Sequence, residues 1–357
     1  MENFSDIIQK KSPDVFIIVT EDEPRSNSYF HSDFLPKIFL SNLHKNNFKY
    51  KLIKSEKTDN KYIYTTINNN KINTSIRISV YGIDNLEITN INSKIISMKQ
   101  NEYYTGACAI YLTYSNNNYC FIATKFLNNI SNNLNYYLSR FANLQYNNLY
   151  LLDIKHNLID NNNINNNNID YIYIIGDLDY VVNIFNKNNT RSKHEKHVIN
   201  NLIKYLLEMY NFNLNNLIYY NYPENNGLFS NKYKYVDNKD LYYNSNNDKV
   251  VSYLNYLKLN DELSIELNNN NNLILREFKE GIKNMGPAFL YPEYKLSTLR
   301  EGEMLPTYVI DQKSIYNSPS FNNRIIYNSN IECEFYKNYD HGDMRLSPSS
   351  GIIGFYY

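Results

Sequence analysis

Residues 171–183, with the sequence YIYIIGDLDYVVN, constrain the fold of this chain more than any other stretch. Five apolar or aromatic residues run directly into Gly176, and two acids, Asp177 and Asp179, follow. A run of this kind predicts a strand that is buried on both faces. The two carboxylates would then lie at the carboxyl end of a central strand, where sheet proteins commonly place their chemistry. The alternative is an ordinary acidic turn, because aspartate is a common turn residue.

The rest of the sequence predicts short strands and amphipathic helices that fit one layered α+β domain over residues 1–357. Short apolar and β-branched runs bounded by turn residues predict the strands, and helical spacing of apolar residues predicts the helices. Asn-rich runs near 160–170 and 268–272 are expected to be exposed loop insertions. The predicted strands are 15–20, 50–53, 62–67, 76–81 and 351–357, with a hairpin at 106–125, and the predicted helices are 32–47, 128–146, 198–210 and 250–267.

The composition argues against several classes of function. Lys plus Arg equals Asp plus Glu, at 36 each, so no net field draws the chain to nucleic acid. Three scattered cysteines without CxxC spacing indicate a reducing compartment and no zinc knuckle. The polar first residues lack the apolar core of a signal peptide. No window approaches the roughly eighteen apolar residues that a membrane span requires. We therefore expect a cytoplasmic protein without a transmembrane segment.

Seven segments, taken in order, resemble motifs of the inositol polyphosphate 5-phosphatases, a family of the endonuclease/exonuclease/phosphatase superfamily. That family has an acid after an early strand, a hairpin like KGAVAIRL…FCFVNSHL, and the motifs GDLNYR, DQL, PTYK, PSWCDRIL and SDHRPV. Each match is weak alone, but all seven occur in the family's order. They are DVFIIVTED at 14–22, GACAIYLTYSNNNYCFIATKF at 106–126, GDLDYV at 176–181, LKLNDEL at 257–263, FLYPEYK at 289–295, PSFNNRII at 319–326 and YDHGDM at 339–344.

The resemblance implies a two-sheet α/β sandwich with a metal and phosphate site at one edge. It implies a Mg²⁺-dependent phosphatase that hydrolyses a phosphate monoester of inositol polyphosphates or phosphoinositides. Carboxylates would hold the ion, since Mg²⁺ takes oxygen ligands. By resemblance Glu21 is the metal ligand, and Asp177 orients and deprotonates the attacking water. His341, paired with Asp340, would stabilise negative charge on the phosphoryl group or steer the leaving group, because a neighbouring acid keeps a histidine cationic. A phosphoinositide substrate would bring peripheral contact with lipid headgroups.

The resemblance also implies a set of residues that contact substrate phosphates. Tyr294, Lys295 and Arg324 match the family's positions, and Lys and Arg both suit phosphate oxygens. Lys125 stands where the family has a phosphate-facing histidine, and we place it in the same set. Asp179 replaces the asparagine of GDLN, and we place it with the catalytic residues. Its extra negative charge would repel substrate unless it binds metal or is protonated.

Further departures from the family pattern keep alternatives open. Asn323 replaces the aspartate of the CDR string, and no strand with the family's metal-binding asparagine fits before Val15. The main alternative is a catalytically inactive relative that acts as a binding or scaffold protein. It predicts site side chains that are splayed or paired with Lys125. A nuclease of the same superfamily is disfavoured, because neutralising several phosphates needs a basic stripe. Without the resemblance, Glu21 would be interpreted as a solvated turn residue and His341 as an ordinary exposed histidine.

Overall fold

A computed structural model shows two β-sheets packed face to face, with helices on their outer faces. The sheets bury their apolar faces against each other and against the helices, as layered domains must. The structure describes residues 4–21, 34–45, 49–58, 62–64, 71–73, 75–100, 103–126, 136–160, 168–180, 220–221, 232–236, 261–269, 272, 274–281, 308–310, 323–328, 331–339 and 351–356.

Sixteen strands and four α-helices are assigned within these residues. A π-helical turn at Lys155–Asp160 follows α3, and a 3₁₀ turn at Leu275–Glu277 follows α4. In chain order the elements are α1 (Phe4–Lys11), β1 (Val15–Glu21), α2 (Phe34–Lys45), β2 (Tyr50–Lys57), β3 (Tyr62–Tyr64), β4 (Lys71–Asn73), β5 (Ile76–Ile83), β6 (Ile88–Gln100), β7 (Tyr103–Tyr114), β8 (Asn117–Lys125), α3 (Tyr136–Ile154), β9 (Tyr171–Asp177), β10 (Tyr220–Asn221), β11 (Lys232–Val236), α4 (Glu262–Leu267), β12 (Phe278–Glu280), β13 (Tyr308–Ile310), β14 (Asn323–Asn328), β15 (Cys333–Tyr339) and β16 (Gly351–Tyr356).

The smaller of the two packed sheets has the order β1-β5-β2 and is antiparallel throughout. Phe16 and Tyr81 stack on its outer face with ring centroids 4.8 Å apart. They form a buried cluster with Tyr50 and with Ile8 and Leu43, which come from α1 and α2. This cluster therefore fixes the first two helices on the outside of the small sheet.

The larger sheet has the order β12-β14-β9-β8-β7-β6. Every neighbouring pair is antiparallel except β8 and β9, which run parallel with α3 as the connection between them. Its outer face packs on α3, the π-helical turn and α4 through a cluster that includes Ile122, Leu151, Ile174 and Leu263. Because β8 and β9 are parallel, they end at the same edge of the sheet.

The inner faces of the two sheets meet through β5, which contacts β7 and β8, while β1 contacts β9. Ile76, Ile78, Val80, Cys108 and Ile110 have no exposed surface there. Two sheets with helices on both outer faces make an α/β/β/α sandwich. The predicted two-sheet α+β fold is therefore confirmed.

Several local predictions are also confirmed. The strand expected at the start of residues 171–183 is β9, and it lies between two neighbours in the large sheet. The hairpin of β7 and β8 turns at Ser115 and Asn116, whose φ angles are 50° and 63°. Two positive φ values are the mark of a type I′ turn, which suits the twist of a hairpin. The helix at 32–47 and the strand at 351–357 match α2 and β16.

Other boundaries differ from the predictions. The helix predicted at 128–146 is Tyr136–Ile154 in the described residues, since Leu151 and Ile154 continue its apolar face beyond residue 146. The helix predicted at 250–267 does not run through Asp261, which is extended and caps α4 with its carboxylate. The long strand β6 and the helix α1 were not predicted. The predicted helix at 198–210 lies outside the described residues. Within the described part of the chain, no helix is long and apolar enough to span a membrane.

Candidate functional site

Three strands end close together at one edge of the sandwich. β8 ends at Lys125, β9 ends at Asp177, and β1 brings Glu21 from the facing sheet. β14 begins at the same edge, since Asn323 pairs with Asp177 in the antiparallel register. Acids predicted from distant parts of the sequence thus meet at strand ends, where sheet proteins often bind ligands.

Gly176 allows this close approach. Its φ of 138° is unfavourable for any residue with a side chain. A Cβ at this position would lie 1.9 Å from the carbonyl oxygen of Thr124 on β8. One residue further on, the N–H of Phe126 donates to the carbonyl of Asp177 at 2.8 Å. The glycine therefore keeps the ends of β8 and β9 in contact and fixes where Asp177 lies.

Glu21 joins the two sheets at this edge. Its Oε1 accepts the backbone N–H of Asp177 at 2.9 Å. Its Oε2 lies 3.6 Å from the Nζ of Lys125. The side chains of Lys125 and Glu21 are 13% and 22% exposed, so the ion pair is only partly open to solvent. We call Glu21, Lys125 and Asp177 the strand-end cluster.

The loop after β9 is held from two sides. The N–H of Asp179 donates to Asp177 Oδ1 at 3.0 Å, which orients that carboxylate. Asn147 of α3 donates its Nδ2 to the carbonyl of Asp179 at 3.1 Å. Asp179 is buried and has a φ of 51°, a left-handed conformation that asparagine and aspartate tolerate better than most residues. The acidic turn therefore has a defined geometry and is not a solvated surface turn.

Arg324 lies away from solvent, within the body of the protein. Its side chain has no exposed surface and is paired with Asp261 and Glu280. Nη1 donates to Asp261 Oδ2 at 3.1 Å and to Glu280 Oε2 at 3.2 Å, and Nη2 donates to Asp261 Oδ1 and, at 3.3 Å, to the carbonyl of Tyr180. The structure thus gives this guanidinium protein partners in place of the substrate phosphates that we expected. We call Arg324, Asp261 and Glu280 the buried arginine cluster.

Burial and charge act in opposite directions on the buried arginine cluster. Burial alone would lower the pKa of Arg324, but the charges of Asp261 and Glu280 raise it above its ordinary value. Tyr336 donates its hydroxyl to Glu280 at 2.9 Å and accepts the N–H of Ile325 at 3.0 Å. Burial, followed by the charge of Glu280, raises the pKa of Tyr336 well above its usual value. The cluster is therefore a charged, hydrogen-bonded support beneath the loop after β9.

Four predicted site residues belong to segments other than those described. Tyr294, Lys295, Asp340 and His341 lie outside the described residues, so their roles stay predictions. Among the side chains that are described, no three of His, Cys, Asp or Glu come together as a metal-binding group. The described part of the site is thus two adjacent acids, one lysine and a buried aspartate behind them.

Several residues that build the site have no role in the predictions from sequence. Asn147 anchors the loop after β9 from α3, and Asp261 and Glu280 hold Arg324. Asp261 falls in the segment LKLNDEL, which resembles a family motif, but the motif does not indicate which residue this acid pairs with. Asn147 carries no signal, because asparagine is abundant throughout the chain.

Comparisons with known proteins agree with this architecture. No protein-family model and no curated protein matches the chain. The inositol polyphosphate 5-phosphatase domain of SPsynaptojanin, solved with inositol (1,4)-bisphosphate and calcium ion, aligns with a TM-score of 0.54 and 12% identity over 96% of this chain and 74% of that one. Cimex nitrophorin, solved as a ferrous NO complex, aligns with a TM-score of 0.52 and 13% identity over 100% of this chain and 92% of that one.

At these identities the comparisons show the fold alone. The chain has the fold of that 5-phosphatase domain, a two-sheet sandwich of the endonuclease/exonuclease/phosphatase type, as the order of its motifs predicted. The second structure is a nitrophorin in complex with NO, so a chain with this architecture can bind NO. A fold that serves several functions leaves the function to be argued from the site.

Proposed function

We propose that this chain is a Mg²⁺-dependent phosphatase that hydrolyses a phosphate monoester of inositol polyphosphates or phosphoinositides. The observation that carries the proposal is the direct contact between Glu21 and Asp177. The Glu21 carboxylate accepts the backbone N–H of Asp177 at 2.9 Å. This hydrogen bond joins strand ends from two different sheets, more than 150 residues apart in sequence. These are the two acids that the resemblance names as the metal ligand and the general base.

The chemistry of the donor set fits a divalent cation at Glu21. The ammonium of Lys125 lies 3.6 Å from this carboxylate, so the site already accommodates a positive charge there. Mg²⁺ is usually held by one or two carboxylates together with water and phosphate oxygens, and a larger cage of protein ligands is not needed. Glu21 would hold the ion, which when bound neutralises charge on the phosphoryl oxygens.

The residues of the chain would then act as follows. Asp177, whose Oδ1 is fixed by the N–H of Asp179, would orient a water molecule and take its proton. The water oxygen bonds to phosphorus, the bond from phosphorus to the inositol oxygen breaks, and solvent protonates the leaving oxygen. Lys125 would contact the phosphate as a point charge. His341 and Asp340, by resemblance, would stabilise the charge that develops on the phosphoryl group.

The test is phosphate release from a panel of inositol polyphosphates and phosphoinositides with Mg²⁺ present. We expect release by the wild type and a loss of roughly a hundredfold or more in Asp177→Asn, because a general base contributes at least that much. Asp179→Asn should raise the rate by roughly tenfold, since it removes a negative charge close to the anionic substrate. Asp153→Asn, at an exposed position on α3, is the matched control and should leave the rate unchanged.

A second candidate function is a non-catalytic role in binding inositol phosphates. The contact between Lys125 and Glu21 favours it, since the alternative predicted site acids paired with this lysine. If neither the wild type nor the two site variants release phosphate while circular dichroism shows them folded, the enzymatic proposal fails. Binding of inositol polyphosphates by calorimetry would then support the second candidate. For either function we propose a cytoplasmic location, in keeping with three cysteines that form no disulfide.

A further inference from the structure

The ion pair between Lys125 and Glu21 occupies the place where the proposed function puts a divalent cation. The two charged groups are 3.6 Å apart, and both side chains are largely buried. A protonated lysine has three hydrogen-bond donors and no acceptor, so it cannot serve as a metal ligand. The ammonium and a metal ion would therefore compete for the same carboxylate of Glu21.

The backbone of Lys125 is fixed, and only its side chain can move aside. Lys125 is the last residue of β8 and pairs with Gly106 in the hairpin register. The next residue, Phe126, is hydrogen bonded to the carbonyl of Asp177. The four-carbon stem of the lysine is flexible, so its ammonium can turn from Glu21 toward another anion. A phosphate bound at the edge would provide that anion.

The net charge of this edge determines how strongly it attracts a cation. Three carboxylates and one ammonium, those of Glu21, Asp177, Asp179 and Lys125, give the described edge a formal charge of −2. Without Lys125 the same edge would be more negative and would attract a cation more strongly. With Lys125 present, the edge holds its own positive charge until a ligand draws the ammonium away.

We propose that Lys125 is a tethered competitor of the divalent cation and couples cation binding to phosphate binding. The inference rests on the proposed function, because it takes the strand-end cluster as the cation site. When phosphate draws the ammonium away, Glu21 becomes available to the cation. By linkage, phosphate then raises the affinity for the cation and the cation raises the affinity for phosphate by the same factor.

The test is calorimetric titration of the full-length protein with MgCl₂, at fixed ionic strength and without phosphate. In Lys125→Met we expect the dissociation constant for Mg²⁺ to fall by on the order of tenfold relative to wild type. Lys125→Arg keeps the charge and should stay close to wild type. Lys155→Met removes a lysine that pairs with Glu277 at 2.9 Å, away from the site, and is the matched control. Adding inorganic phosphate should tighten Mg²⁺ binding in the wild type more than in Lys125→Met.

The outcomes separate this inference from the proposed function. Equal Mg²⁺ affinity in wild type and Lys125→Met, or weaker binding in the variant, overturns the competitor role and leaves the proposed metal site standing. An absence of Mg²⁺ binding by every variant, with and without phosphate, overturns both. If Lys125→Met does not fold by circular dichroism, Lys125→Gln replaces it, and the same comparisons apply.

Discussion

Two clusters in this protein set a basic side chain against carboxylates, and they differ in exposure. In the buried arginine cluster, the side chains of Arg324, Asp261 and Glu280 are 0%, 0% and 4% exposed. In the strand-end cluster, Lys125 and Glu21 are 13% and 22% exposed. The first cluster is closed to any ligand, whereas the second can exchange its partner without opening the core.

The choice of basic residue fits this difference. Arg324 divides its planar guanidinium among two carboxylates and a backbone carbonyl, as a buried arginine must to offset its desolvation. Lys125 meets Glu21 at 3.6 Å, beyond the usual length of a charge-assisted hydrogen bond. A buried arginine with fixed partners supports the fold, and a lysine with a longer contact suits a site that changes partners. We therefore expect substitutions in the first cluster to act on stability and those in the second to act on binding.

The largest expected loss of stability comes from a substitution in the buried arginine cluster. Arg324→Met leaves the charges of Asp261 and Glu280 buried without their counter-ion, which should lower the free energy of unfolding by about 3–5 kcal/mol. Urea unfolding followed by circular dichroism measures it. Arg276→Met, at an exposed position, is the control and should change stability by less than about 0.5 kcal/mol. A loss below about 1 kcal/mol in Arg324→Met would mean that the cluster does not support the fold in this way.

The next substitution tests whether the strand-end cluster depends on the close backbone packing of β8 against β9. Gly176→Ala places a Cβ 1.9 Å from a carbonyl oxygen at a φ of 138°. We expect it to lower the free energy of unfolding by about 3 kcal/mol, the upper part of the range for backbone strain. Gly82→Ala is the matched control, because its Cβ would meet only movable side-chain atoms at 3.3 Å or more. Equal losses in the two variants would show that the contact of β8 with β9 is not specially tight.

The pH dependence of stability should also separate the clusters. Burial raises the pKa of Tyr336 in the buried arginine cluster well above its usual value, and Glu280 adds to this. Below pH ~10 the phenol is protonated in both folded and unfolded chains, and its contribution to stability is complete. As pH rises further, the unfolded chain loses the proton first, so stability falls by about 1.4 kcal/mol per pH unit.

Tyr336→Phe removes this titration. Above pH ~10 the free energy of unfolding of the variant should fall less steeply with pH than that of the wild type, even though the variant starts less stable. Urea unfolding at a series of alkaline pH values gives both slopes. Identical slopes would mean that other groups, such as the buried Cys108 with its pKa raised by burial to about 12, carry the alkaline dependence.

The two clusters also show what the sequence could reveal. The strand β9 and the β7–β8 hairpin were predictable because their signals are local runs of apolar residues bounded by turn residues. The meeting of Glu21 and Asp177 was predictable only through the order of family motifs, since no local pattern joins them. The role of Arg324 was not predictable, because Asp261 and Glu280 lie 63 and 44 residues away in the chain. The motif that suggested a phosphate contact says nothing about how deeply its arginine is buried.

The smallest expected effect is the coupling energy between Lys125 and Glu21. A double-mutant cycle of Lys125→Met and Glu21→Gln isolates it, since each substitution removes the charge while keeping similar side-chain volume. We expect about 0.5–1 kcal/mol, because the pair is partly solvated and its contact is long. Raising the salt concentration should reduce the coupling, as it does for charges that solvent reaches. A coupling near 3 kcal/mol that salt does not change would place this pair with Arg324 as part of the structural core. Lys125 would then be too firmly held to give up Glu21 to a cation, and the distinction between the two clusters would be lost.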